Sequence, residues 1–115
     1  MRRALLLLLA CSNGLEAVEP AWGKEQCAHC MMLVSEREPA AQLITADGTR
    51  RFFDDVGCMM AFNEANPKAR WVHLGNSWVP AETARYAPAR TPMDYGFVAA
   101  KDGISFDELR EKVKR

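Results

Sequence analysis

An α+β domain is what this chain predicts, and three observations carry the expectation. Asp47-Gly48 separates two strand-like runs at 40–45 and 50–53, and Gly75-Asn76 separates two more at 70–74 and 77–79. Near the C-terminus, Ser105 with Glu108 three residues on forms a capping box ahead of an apolar-faced segment. Hairpins interleaved with helices favour antiparallel pairing over a parallel doubly wound sheet.

The elements follow in order. Residues 40–45, Ala40-Ala41-Gln42-Leu43-Ile44-Thr45, alternate well enough for a strand, and Arg50-Arg51-Phe52-Phe53 returns after the turn. Asp54 or Asp55 then caps a helix through Val56, Cys58, Met59, Met60, Phe62 and Ala65, which Asn66-Pro67 ends. That is one ββα unit. In the second, strands at 70–74 and 77–79 precede a short helix opened by Pro80 and running through Ala81, Ala84 and Arg85. Past a Pro-interrupted loop at 87–92, residues 95–100 read as a strand of near-continuous apolar character, turned by Asp102-Gly103. The last helix presents Phe106, Leu109 and Val113. The expectation is two ββα-type units in one small domain, closing with a strand and a C-terminal helix.

A length of 115 residues suits one domain with a core of its own. At the start, Met1-Arg2-Arg3-Ala4 leads into five leucines, Ala10 and Cys11, which is the pattern of an export signal too short to span a bilayer. Leu8-Leu9-Ala10-Cys11 resembles a bacterial lipobox, in which cleavage before Cys11 leaves its thiol to be lipidated; an ordinary secretory signal cleaved a few residues later is the competing reading. The expected organisation is a signal at 1–10, a tether at 11–25 and the domain at 26–115, with the protein held by lipid on the extracytoplasmic side. Losing Arg2 and Arg3 leaves 13 of the 15 basic residues against 15 acidic ones, a balance with no electrostatic footprint for nucleic acid.

Sulfur is the chemistry that stands out. Cys27-Ala28-His29-Cys30-Met31-Met32 sets two thiols and two thioethers within six residues, and more follow at Cys58, Met59, Met60 and Met93. Thiolates and thioethers are soft ligands that select Cu(I) over hard cations. With Cys11 spent on lipid, the odd number of remaining thiols argues against a purely structural disulfide framework. Other readings of Cys27 and Cys30 stay open: a disulfide, a thiol-disulfide exchange pair, or half of a structural zinc site completed by Cys58 with His29 or His73. Cys58, Met59 and Met60 point about 100° apart on a helix and cannot all face one ion, so Met60 reads as core. Asp54 and Asp55 read as cap and first-turn charges. His29, between the two cysteines, reads equally as an imidazole ligand or as solvent-facing, His73 as a packed strand residue, and Trp71 and Trp78 as core residues or cross-strand partners.

With these segments in place the chain resembles the NosL family, lipoproteins that accompany nitrous oxide reductase. The likeness rests on the lipobox at Cys11, on Cys27-Ala28-His29-Cys30-Met31-Met32 against the family's Cys-x-x-Cys-x-Met, on the stretch from Ala40-Ala41-Gln42 through Gly48 to Phe53-Asp54-Asp55-Val56-Gly57-Cys58-Met59, and on Thr91-Pro92-Met93-Asp94-Tyr95-Gly96. The resemblance implies a Cu(I) chaperone, not an enzyme, that passes copper to the maturation machinery or to nitrous oxide reductase itself. It implies ligation by sulfur at Cys27, Cys30, Met32 and Met93; Cys58 joins the candidate set on its own residues, since a thiol near a helix N-terminus favours metal or disulfide chemistry over inert packing. The family commonly has Gly where this chain has Met31.

Overall fold

The computed structural model describes residues 14–114, so the export segment and Cys11 lie outside the described residues. The α+β expectation holds: two antiparallel sheets and two helices pack into one small domain. Strands β1 (Ala41–Ile44), β2 (Arg50–Phe53), β3 (Ala69–Leu74) and β4 (Ser77–Pro80) form the larger sheet in the order β2-β1-β3-β4. Strands β5 (Arg85–Pro88) and β6 (Phe97–Ala100) form the smaller one. Helix α1 (Val56–Phe62) packs on β1, β2 and β6, and α2 (Phe106–Lys112) packs on β5. The Asp-Gly hairpin closes with Ile44 opposite Arg50 and Ala41 opposite Phe53.

Capping residues set the helix bounds. Asp55 is the N-cap of α1, its side chain accepting the Gly57 N–H. Asn63 ends the helix in the left-handed conformation at φ 55°, several residues before Asn66-Pro67. At α2 both halves of the capping box form: Glu108 N–H donates to Ser105 Oγ at 3.1 Å, and Ser105 N–H donates to Glu108 Oε1 at 2.9 Å.

One element of the second unit is corrected. The helix read from Pro80 is absent from the second unit: Pro80 closes β4 opposite Trp71, residues 81–83 turn, and Arg85–Pro88 pairs antiparallel with β6. A proline at N1 only permits a helix, whereas pairing with β6 and the two hydrogen bonds between Tyr86 and Ile104 satisfy this backbone as strand. Both prolines stand on edge strands, where a missing N–H is tolerated. The tryptophans are cross-strand residues of the β3–β4 hairpin as expected, Trp78 opposite His73 and Trp71 opposite Pro80.

Residues 14–22 lie across the outer face of the larger sheet and do not hang clear of it as a tether would. Trp71 Nε1–H donates to the Leu15 carbonyl at 2.9 Å, and Arg50 donates to the Gly14 carbonyl at 3.2 Å. Gln42 exchanges two hydrogen bonds with the backbone of Val18. Glu19 accepts from the indoles of both Trp22 and Trp78. This strap explains why all four residues of β1 are buried, Gln42 included: the strand has packed chain on both faces.

Candidate metal centre

The site begins with a loop that folds back on itself. Cys27 N–H donates to the Met32 carbonyl at 2.7 Å, and Met31 N–H donates to the Cys27 carbonyl at 3.0 Å, so the six residues close into a small ring. Ala28 N–H donates to the Phe52 carbonyl at 2.8 Å and docks this ring on β2. Phe52 lies two residues before Asp54, where the chain leaves the sheet for α1. That docking brings Cys27 and Cys30 to Asp54 and to Cys58, the third residue of α1.

These four residues form a cluster that can hold a metal ion: three thiol sulfurs and one carboxylate oxygen lie within 4.8 Å of one another. Metal–thiolate bonds of about 2.3 Å put neighbouring sulfurs roughly 4 Å apart, so closure on an ion needs movements under about 1 Å. All three thiols are free. Cys27 and Cys58 are fully buried, whereas Cys30 is half-buried and marks the accessible side.

Hydrogen bonds divide the protons unequally. The Cys58 thiol donates to the Cys27 sulfur, and N–H groups of Cys30, Asp54 and His29 add to it, which together hold Cys27 well below the usual thiol range despite burial. Donating that proton, and being buried, pushes Cys58 far up. Burial also pushes the Cys30 thiol up, and its sulfur donates to Asp54 Oδ1 at 3.3 Å. Burial raises the Asp54 carboxyl. Its second oxygen, Oδ2, is the one buried side-chain oxygen or nitrogen without a hydrogen-bond partner among the described residues. An orphaned carboxylate oxygen beside three thiols is a donor set that fits a soft or borderline cation.

No protein-family model, curated protein or solved structure matches this chain.

The structure distributes the expected site residues as follows. Cys27, Cys30 and Cys58 come together. Met32 does not join them inside: it is 59% exposed, beside Met31 at 58%. Met31 has φ 72°, a left-handed conformation that glycine takes without a side-chain penalty, and Gln26 Nε2–H holds its carbonyl at 3.0 Å. Met93 is half-buried against the core that contains Cys27 and Cys58, and its N–H donates to Asp55 Oδ2 at 2.9 Å, which sets it beside the first turn of α1. His29 and His73 stand outside the cluster. His29 is exposed and lines a cleft of about 830 Å³ together with Met59 and Met60, whereas His73 is 4% exposed in contact with Trp22 and Trp78. A second cleft, about 310 Å³, is lined in part by Cys27, Met31 and Arg51.

Sequence reasoning missed Asp54. The available signal was its position between the end of a strand and the helix that carries Cys58, four residues on.

Proposed function

We propose that the chain is an exported, lipid-anchored carrier of Cu(I), of the kind that delivers copper for assembly of nitrous oxide reductase, and not an enzyme. The observation that carries this reading is the buried cluster of Cys27, Cys30 and Cys58, open on the Cys30 side. Three soft sulfurs suit Cu(I), and a site with one accessible ligand permits release by ligand exchange with an acceptor. The reading is also supported by the Met31 conformation, since φ 72° occurs where the resembled family carries Gly. The acceptor is the maturation machinery or the reductase, and copper is cargo.

Asp54 favours a second reading. Three thiolates and one carboxylate can complete a tetrahedral zinc site, which would be structural. A thiol-exchange role fits less well, because such chemistry needs an accessible attacking thiolate and Cys27 is fully buried.

The test is anaerobic loading of the full chain with Cu(I) and Zn(II) in competition, for the parent, Cys58→Ser, Asp54→Asn and Met93→Leu. A copper carrier is expected to select Cu(I), to lose more than about 100-fold in affinity with Cys58→Ser, and to change little with Asp54→Asn. A fall with Met93→Leu would add its thioether to the ligand set. Zinc retention that depends on Asp54 and ignores Met93 would overturn the copper reading.

A further inference from the structure

Among the described residues, the large apolar side chains left exposed are Val18, Met31, Met32 and Leu33. Three of them are consecutive, and the fourth sits on the strap at Gln42. Arg50 links the segments that carry them: it donates to the Gly14 carbonyl and to Gln42 Oε1, the same oxygen that accepts the Val18 N–H, and it lines the 310 Å³ cleft with Met31. Leu33 bridges Gln26, whose side chain holds the Met31 carbonyl. Three consecutive exposed apolar residues, one of them at positive φ, are unusual on a small soluble surface and mark an interaction face.

The chain's exit point says what covers it. Gly14 is held at Arg50, and only Ser12 and Asn13 separate it from Cys11. Three Cα steps span at most about 11 Å, so a lipid on Cys11 cannot let this face stand far from the bilayer. Arg50 and Arg51 line the 310 Å³ cleft beside the Glu25 carboxylate; Arg50 is spent on Gly14 and Gln42, whereas Arg51 is exposed, and an arginine fork matches headgroup phosphates while its stem lies along apolar surface.

We propose that Val18, Met31, Met32 and Leu33 seat on a phospholipid bilayer, with Arg51 at the phosphates, so that the ring carrying Cys27 and Cys30 faces the membrane surface. The proximity argument rests on the anchored reading of Cys11. The seating itself is a property of the folded face: shallow burial of an apolar patch at the headgroup boundary, which turns a flexible attachment into a fixed orientation.

The test uses the full chain, produced with its export segment and mixed with phosphatidylcholine–phosphatidylglycerol vesicles that carry brominated acyl chains. Indole emission is compared between the parent and Leu33→Trp, a substitution at a half-exposed position that the fold tolerates. The added emission is expected to move to shorter wavelength and to be quenched at least about two-fold, with less quenching in Leu33→Trp combined with Arg51→Glu. Co-sedimentation with vesicles but no quenching of the added indole overturns the seating and leaves the anchor standing. In Cys11→Ala, quenching that persists at higher lipid concentration supports a seating that does not need the anchor, and quenching lost at every lipid concentration overturns it; a parent that neither binds nor is quenched overturns both the seating and the anchor. Shielding of the added indole that grows with protein concentration without vesicles assigns the face to a second copy and overturns the proposal.

Discussion

One carboxylate ties Met93 to Asp55 across 38 residues of sequence. Asp55 Oδ2 accepts the Met93 N–H at 2.9 Å while Oδ1 accepts the Gly57 N–H, also at 2.9 Å, and the side chain is fully buried. The cap of α1 and the position of the Met93 loop are therefore one interaction. Asp55→Ala is expected to lower stability by roughly 2–3 kcal/mol, the sum of a lost cap and a lost charged hydrogen bond, and to speed hydrogen exchange at the Met93 amide. Asp55→Asn, which still caps, should recover much of the stability. Denaturant unfolding and amide exchange check both.

At Gly57 the Tyr95 side chain of the same loop packs directly on α1. A Cβ at this position would lie 1.9 Å from Tyr95 Cγ and 2.2 Å from Tyr95 Cβ. Alanine is the better helix former, yet Gly57→Ala is expected to destabilise by about 1–3 kcal/mol, because helix or loop must retreat. In a Tyr95→Gly background the same substitution should be far milder. A double-mutant cycle by thermal unfolding measures that coupling, and additive losses would refute the contact argument.

Met31 holds φ 72° with its side chain in solvent. The left-handed conformation penalises an L-residue by about 1–2 kcal/mol, and glycine's extra backbone entropy offsets part of that relief. Met31→Gly is expected to raise stability by up to about 1 kcal/mol and to keep the metal cluster intact, read as a higher denaturant midpoint with unchanged metal stoichiometry. A drop in midpoint would mean that Met31 packs usefully.

His73 provides a pH signature. Its ring meets Trp78 at 4.9 Å and Trp22 at 6.2 Å, edge to face in both cases. Burial lowers its pKa below 6.5; the Glu19 charge opposes this and the Arg37 charge adds to it. Below 6.5 the unfolded chain takes up a proton that the folded chain refuses, so this contribution is complete above that value and is lost as pH falls towards the lower folded pKa. Unfolding midpoints between about pH 8 and pH 5 should decline less steeply in His73→Gln than in the parent. Equal slopes would remove His73 as the cause.

The strands β1 to β4 and the helix α2 were legible because their signals are local: an Asp-Gly turn between alternating runs, a Gly-Asn turn, and a Ser-x-x-Glu box. The thiols at 27, 30 and 58 were legible as metal chemistry from residue type alone. Which of them meet, and with what, is a matter of long-range contact. The bond from Ala28 to Phe52, the ring bonds between Cys27, Met31 and Met32, and the Cys30 bond to Asp54 together put Asp54 in the cluster and leave Met32 at the surface. The segment after Pro80 became strand because β6 and Ile104 offered its backbone partners, and residues 14–22 became a strap because Gln42, Trp71 and Trp78 bind them. Local propensity is weak for such segments, and a buried backbone or side-chain polar group without a partner, such as the Gln42 amide, costs more than any preference of a few residues, so the assembled fold chose their conformations.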